Sequence, residues 1–270
     1  MVDNSPKVVV SPKQSLAQVV SNGEVMPGVY LTWLESPQIA AIAKPGQFVM
    51  VCCGEDNLLR RPFSIHQLDA KSNQLALLFT VVGKGTYWLS QRQASDRIDL
   101  LGPLGNGFSI DPVSYNLLLV AGGIGIAPLC FLAQAALNQG CFVTLLLGAS
   151  TATQLYPSHL LSPGAKCIAA TEDGTTGKKG IITQLLPDFI GWADQVFACG
   201  PNSMYSTIVR QNRSLLKRKP VQISLEVRMG CGFGVCYGCT VKTKTGLKQV
   251  CKDGPIFDPS DILWDEMVDV

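Results

Sequence analysis

Four cysteines near the C-terminus carry the most specific chemistry in this 270-residue chain: Cys231, Cys236 and Cys239, spaced C-x4-C-x2-C, and Cys251 after eleven further residues. That spacing is the plant-type arrangement for a [2Fe–2S] cluster. Three thiolates can converge on a small inorganic core from one loop if the backbone wraps closely, and Gly230, Gly232, Gly234 and Gly238 permit this. N–H groups freed in such a loop can point at the sulfurs and tune the cluster. A four-thiolate zinc site is the competing reading, but it ordinarily uses two C-x2-C-like pairs, and here there is one. A Rieske centre needs imidazoles, and neither histidine of the chain, His66 or His159, lies near. The other six cysteines (Cys52, Cys53, Cys130, Cys141, Cys167 and Cys199) mostly fall in apolar segments, and five of them are expected to be small core residues.

A second signal is the run Leu117–Pro128, LLLVAGGIGIAP, a strand, a glycine turn and a helix start. Free N–H groups at a helix start favour an anion, so Gly122, Gly123, Gly125, Ile126 and Pro128 are candidate contacts for a dinucleotide. The spacing departs from G-x-G-x-x-G in ending on proline, and glycine-rich turns also arise from packing alone. No acid for a ribose follows at the expected distance. The next strand end, Gly148-Ala149-Ser150-Thr151, also lacks an arginine for a 2′-phosphate, which favours NAD over NADP. Cys199-Gly200-Pro201 ends a further strand, so Cys199 is the candidate catalytic residue beside a nicotinamide, with a plain β-to-α turn as the alternative. Glu172-Asp173-Gly174 is open in the same way between a nucleotide contact and a turn.

A nicotinamide exchanges two electrons as hydride, whereas a [2Fe–2S] cluster takes one at a time. A flavin can mediate between them. No second glycine fingerprint exists to hold it, so the N-terminal half must do so. Arg60-Arg61-Pro62-Phe63-Ser64 offers a guanidinium for a pyrophosphate and a hydroxyl for a ring nitrogen. Gly83-Lys84-Gly85-Thr86 offers N–H groups at a helix start.

The elements that must position these groups follow from the apolar pattern. Short runs at Leu16–Val20, Gly28–Leu34, Phe48–Cys52, Phe63–Leu68, Leu75–Val82 and Ile98–Leu101 are separated by turn signals, Ser21-Asn22-Gly23 among them, and predict an antiparallel barrel or sandwich with a short helix at Thr86–Gln91. From about Gly102 strands and helices alternate, which predicts a parallel sheet. The fold class is therefore a multidomain α/β + β chain: a β-barrel for FAD (1–102), a Rossmann-like NAD domain (103–220) and a small [2Fe–2S] module (221–270). Residues 112–165 hold no Asp, Glu, Lys or Arg, and Leu117–Leu137 has the length of a membrane span, but its central glycines and Pro128 favour a buried strand–turn–helix. A composition of 47% hydrophobic and 16% charged residues argues for large cores. A net charge of +2 with one basic run (Lys217-Arg218-Lys219, beside Arg213), read as a solvated helix end, argues against nucleic acid. The acidic tail (Asp258, Asp261, Asp265, Glu266, Asp269) reads as solvated surface, with docking as the alternative. The N-terminus lacks an apolar signal segment, so a cytoplasmic chain off the membrane is expected.

Together these residues resemble the ferredoxin–NADP reductase superfamily, and within it the electron-transfer subunits of two-subunit, NAD-dependent dihydroorotate dehydrogenases. The resemblance spans nearly the whole chain. It runs through Lys44-Pro45-Gly46-Gln47-Phe48, Arg61-Pro62-Phe63-Ser64, Gly102-Pro103-Leu104-Gly105-Asn106-Gly107-Phe108, Ala121–Pro128 and Cys199-Gly200-Pro201. Its most specific parts are Leu225-Glu226-x-Arg228-Met229-x-Cys231 and Cys251–Phe257. Phe63 stands where such chains often carry a smaller aliphatic. The resemblance implies FAD contacts at Arg61, Pro62, Phe63, Ser64, Leu78, Phe79, Thr80, Gly85 and Thr86, and cluster ligands at Cys231, Cys236, Cys239 and Cys251. It implies electrons from dihydroorotate, oxidised in a separate FMN-containing catalytic subunit, leaving through [2Fe–2S] and FAD to NAD+ in pyrimidine (UMP) biosynthesis. A β/α barrel of about 250 residues has no room here beside the other domains, so a partner is expected, in a heterotetramer of two copies of each subunit. The alternative is a flavin/iron–sulfur NAD(P)H reductase subunit of a hydrogenase or a ferredoxin-dependent transhydrogenase.

Overall fold

The structure, a computed structural model, describes residues 11–55, 58–211 and 219–266. Arg213, Lys217, Arg218 and Asp269, which the sequence reading placed on a solvated helix end and in the acidic tail, lie outside them.

Strands β1 (Lys13–Met26) and β2 (Val29–Glu35), a one-turn helix α1 (Pro37–Ala40), then β3 (Phe48–Val51), β4 (Arg61–Asp69), β5 (Gln74–Thr80), helix α2 (Lys84–Ser90) and β6 (Arg97–Leu104) form the N-terminal half. The strands close into an antiparallel barrel in the order β1-β2-β5-β4-β3-β6. Period-two alternation fills its interior with Val19, Leu34, Val49, Phe63, Ile65, Leu77, Phe79 and Leu100. The turn expected at Ser21-Asn22-Gly23 is instead part of β1, which bulges between Val19 and Ser21. Asn22 is held in the strand by long-range bonds. Its Nδ2 donates to the carbonyls of Leu89, Ser90 and Arg92, at the C-terminal end of α2, and its Oδ1 accepts from Thr32.

The next segment folds as β7 (Asn116–Gly122), a 3-10 turn (Gly123–Gly125), α3 (Ile126–Asn138), β8 (Phe142–Ala149), β9 (Lys166–Thr171), β10 (Lys178–Lys179), α4 (Leu186–Ile190), β11 (Gln195–Cys199), α5 (Asn202–Gln211) and β12 (Val221–Ser224). The charge-free run is thus a strand, a turn and a helix, and no helix among the described residues is long and apolar enough to cross a membrane. The helix expected at Ile181–Leu186 is a 3-10 turn (Ile182–Leu185) leading into α4. The sheet order is β10-β9-β8-β7-β11-β12-β15, with β15 the C-terminal strand Ile256–Phe257, and it is parallel but for the last pair. β7 is buried on both faces: Leu118 and Val120 join one core, Leu117, Leu119 and Ala121 the other.

The C-terminal residues form a hairpin, β13 (Thr240–Thr243) and β14 (Gly246–Gln249), a one-turn helix (Val250–Asp253) and β15 (Ile256–Phe257). Here the sheet and the cysteine module interlock. β12 pairs with β11, and β15 returns antiparallel to β12, so residues 221–224 and 256–257 are strands of the central sheet.

Two motifs far apart in sequence join the barrel to this module. The Asn106 N–H donates to Gly254 O at 2.7 Å, its Nδ2 donates to Asp253 O at 3.0 Å, and its Oδ1 accepts from the Ile256 N–H at 3.0 Å. The barrel meets α3 through His66, which is fully buried. A carbonyl can only accept, so His66 Nδ1 donates to Ala127 O (2.9 Å) and Nε2 accepts from the Tyr156 hydroxyl (2.8 Å).

Burial lowers the His66 pKa from 6.5 to about 4, against a smaller upward pull from the Ala127 carbonyl. The folded protein therefore holds a neutral imidazole where the unfolded chain binds a proton. The stability this contributes is complete above pH 6.5 and is lost as pH falls from 6.5 towards 4, roughly 3 kcal/mol in all. His159 is exposed by contrast. The denaturation midpoint of the wild type should fall between pH 6.5 and 5 while that of His66→Gln stays flatter; equal slopes would show that His66 is not the titrating group.

Candidate functional site

The cluster loop Cys231–Cys239 lies against the barrel. Gly232 has φ +84°, and a Cβ there would stand 2.4 Å from Met50 Cγ and 3.3 Å from Leu104 Cδ1, so both its backbone angle and its packing require glycine. Cys239 and Cys251 are buried, Cys231 is half-buried and Cys236 is exposed. The loop aims N–H groups at sulfur: Gly234 N to Cys251 Sγ at 3.1 Å, Val235 N to Cys231 Sγ at 3.3 Å and Cys251 N to Cys239 Sγ at 3.5 Å. Burial raises the Cys231 thiol, but the N–H groups of Cys236, Phe233 and Val235 outweigh it and bring the pKa down to about 6. Burial, followed by the neighbouring Cys239 and Cys231, pushes Cys251 up to about 12. Four thiols, three of them receiving N–H dipoles, fit a negatively charged iron–sulfur core. Among the described residues no three Cys, His, Asp or Glu side chains converge on a single-ion position. Of the other six cysteines, Cys53, Cys130, Cys141 and Cys199 are buried, Cys52 is half-buried and Cys167 is exposed.

Met50 faces Pro62 across the β3–β4 ladder, and Phe48 faces Ser64. Opposed residues share a face. Pro62 and Ser64 therefore lie on the outer face beside Met50, on which the cluster loop rests. One strand spacing, about 5 Å, separates the two. The side chains of Phe63 and Phe79 point the other way, into the barrel, with ring centroids 5.4 Å apart, which leaves them only backbone to offer a cofactor. Leu78 is buried against the sheet domain, and Thr80 borders a cleft. At the barrel mouth a Cβ on the buried Gly85 would lie 3.5 Å from Arg61 Cγ and Nε, so the two sequence-predicted pyrophosphate elements do meet. The Thr86 hydroxyl is occupied in shaping its own turn, accepting from Val82 N and Gly83 N and donating to Gly83 O.

The cleft, about 510 Å³, opens at the carboxyl ends of β7, β8 and β11. β8 lies on one side of β7 and β11 on the other, so the strand order reverses here, the place where open α/β sheets bind ligands. Gly122, Gly123 and Pro201 line it. The glycines divide their tasks. Gly123 has φ +54° and open space where a Cβ would be. Gly125 serves packing, since a Cβ there would stand 2.1 Å from Cys199 O. Ile126 and Pro128 are buried under the turn, so their side chains hold α3 in place and do not reach the cleft. Gly200 is fixed by Tyr205, whose hydroxyl accepts from Gly200 N (2.9 Å) and donates to Ser224 O (2.6 Å). No motif pointed to Tyr205. Cys199 is 5% exposed; burial, then the nearby Glu226, pushes its thiol up to about 12. It is a neutral thiol beneath the cleft floor, unsuited to be a nucleophile.

Residues 226–263 match the family model described as the iron-sulfur cluster binding domain of dihydroorotate dehydrogenase B. The dihydroorotate dehydrogenase B (NAD(+)) electron transfer subunit of Desulforamulus reducens is 40% identical over 92% of this chain and 98% of its own length. That of Geobacillus thermodenitrificans is 37% identical over 91% and 96%. Among solved structures, that of an NADH-dependent reduced ferredoxin-NADP oxidoreductase, studied for flavin-based electron bifurcation, shares 31% identity and a TM-score of 0.84 over 93% of this chain and 91% of that one. A ferredoxin reductase in carbazole 1,9a-dioxygenase, at 17% identity and a TM-score of 0.67 over 80% of this chain and 70% of that one, shares the fold. With barrel, switch-point cleft and cysteine loop all in place, the chain belongs to the family of electron transfer subunits of NAD-dependent dihydroorotate dehydrogenase B.

Proposed function

We propose that the chain receives electrons from an FMN-containing catalytic subunit that oxidises dihydroorotate to orotate, and delivers them to NAD+, in a heterotetramer of two copies of each subunit. When bound, [2Fe–2S] supplies one-electron exchange with the partner and FAD supplies the conversion to hydride. The residues act as holders. Cys231, Cys236, Cys239 and Cys251 bind the iron, Arg61 and the Gly83–Thr86 turn bind the flavin pyrophosphate, and Pro62 and Ser64 border its ring. Gly122, Gly123, Gly200 and Pro201 border the dinucleotide.

The observation that carries this reading is the contact of Gly232 with Met50, which faces Pro62. It sets the cluster loop one strand from the flavin strand, while Thr80, on the strand next to β4, opens onto the dinucleotide cleft. The surface supports it too: Phe233, Val235 and Tyr237 around the exposed Cys236 are 52%, 66% and 70% exposed, an apolar rim suited to a docked subunit.

Coexpressed with a dihydroorotate-oxidising FMN subunit and kept anaerobic, the complex should bleach on adding dihydroorotate and recover on adding NAD+, with NADH formed. The chain alone should bleach with NADH and ignore dihydroorotate. Bleaching of the complex by reduced ferredoxin and not by dihydroorotate would favour the transhydrogenase-type reading, to which the NADH-dependent reduced ferredoxin-NADP oxidoreductase gives its weight.

A further inference from the structure

The cleft wall answers a question that the sequence left open, how a chain without an acid after β8 would choose between the two nicotinamide dinucleotides. The β8–β9 ladder continues past Ala149↔Thr171. Glu172 N donates to Ala149 O (3.1 Å) and Asp173 N to Ser150 O (3.2 Å). This brings the first residue after β9 beside the first residue after β8, and Ser150 Oγ donates to Glu172 Oε1 at 3.2 Å. The second Glu172 carboxylate oxygen has no hydrogen bond among the described residues.

The two acids of the Glu172-Asp173 pair do different things. Asp173 Oδ1 accepts from Thr175 N (3.0 Å) and Thr175 Oγ1 (2.7 Å), bonds that close the turn and hold its carboxyl below the usual range. Glu172 lines the cleft and is the one charged residue on its wall among the described residues. Two lysines stand on β10, the neighbour of β9 in the sheet. Lys178 Nζ faces Asp188 at 4.0 Å, and the stem of Lys179 covers Gly174; neither lines the cleft.

We infer that Glu172, steadied by Ser150, is the specificity-determining residue of this chain: it accepts a hydrogen bond from the 2′-hydroxyl of an adenosine ribose and repels a 2′-phosphate. The inference rests on the reading of this cleft as the dinucleotide site. The chemistry is that of the acid expected after the second strand of a dinucleotide fold, supplied here from the strand beyond it. A hydroxyl bonded to a carboxylate gains a charge-assisted bond. A phosphate of nearly two negative charges at the same place meets like charge, with no cation on the wall among the described residues to offset it.

The test uses two ligands that lack the nicotinamide and so report the cleft without the flavin: ADP-ribose and 2′-phospho-ADP-ribose, titrated calorimetrically into the purified holo-complex. Wild type should prefer ADP-ribose by roughly 100-fold, since losing one charge-assisted bond already costs about ten-fold or more. Glu172→Gln should weaken ADP-ribose about ten-fold and bring the two ligands to within about ten-fold of each other. The NADH-to-NADPH ratio of kcat/KM should narrow in parallel, through KM and not kcat. An unchanged preference in Glu172→Gln overturns the assignment of Glu172. So does a preference that shifts with Lys179→Ala and not with Glu172→Gln. Failure of wild type to bind either ligand overturns the dinucleotide reading, and the inference with it.

Discussion

Cys236→Ser should leave reduction of the bound flavin by NADH at its wild-type rate and abolish dihydroorotate-dependent NADH formation in the complex. Cys236, the exposed one of the four proposed ligands, lies on the apolar rim, whereas the strand proposed for the flavin, β4, and the cleft at the carboxyl ends of β7, β8 and β11 are built from other segments. The packing that supports them does not pass through its side chain. A serine oxygen is harder and shorter in reach than the thiolate that iron–sulfur cores select, and Gly230, whose Cβ would lie 3.2 Å from Cys236 Sγ, shows how closely the loop fits that sulfur. Even indirect changes around a metal ligand cost 10- to 100-fold, so coupled turnover should fall by about 100-fold or more. Iron content, the visible spectrum, single-turnover flavin reduction and coupled turnover separate the two halves of the expectation. Coupled turnover near the wild-type level would remove Cys236 from the path, and loss of flavin reduction as well would mean that the cluster loop and the flavin site fold as one unit.

What could be read from the sequence depended on how local the determinant was. The proposed cluster ligands are local: three come from one nine-residue loop, and glycines at Gly232 and Gly234 sit at φ +84° and +86°. The barrel and the parallel sheet were legible for the same reason, since period two and the strand–helix alternation are written within each segment. Four other features were not. Asn22 reads as a turn residue, but its bonds to the end of α2 keep it in a strand, and those partners lie about seventy residues away. Ile126 and Pro128 read as ligand contacts because they follow the glycines, yet α3 packs under the barrel on one side and the sheet on the other, so both are buried. Glu172 stood open between a nucleotide contact and a plain turn, because only the parallel register of β8 and β9 sets it beside Ser150. Where β12 belongs was hidden likewise. Its neighbours are cysteine-rich in sequence, but its hydrogen bonds go to β11.

Arg61→Ala should yield a folded protein that purifies with most of its flavin lost and its iron retained. Arg61 opens β4 opposite Val51, and its Nη1 donates to Leu59 O at 2.7 Å, which holds the guanidinium at the barrel mouth. There its Cγ and Nε lie over Gly85, at the first turn of α2. A planar fork held by its own chain beside a glycine turn is set up for a pyrophosphate, which it can grip with two parallel bonds. The methyl of alanine removes both. Bonds to charged groups contribute roughly 1.5–3 kcal/mol each, so FAD affinity should fall at least about 100-fold. Arg61 is half-buried at the end of its strand, and the barrel core beneath it is made by Val51, Phe63 and Phe79, so the fold should survive the change. The flavin-to-protein ratio after gel filtration, beside the iron content of the same sample, measures the result. Arg61→Lys should fall between the two, keeping the charge but not the fork. Tight, stoichiometric flavin in Arg61→Ala would leave the pyrophosphate without its assigned partner and move the flavin site off β4.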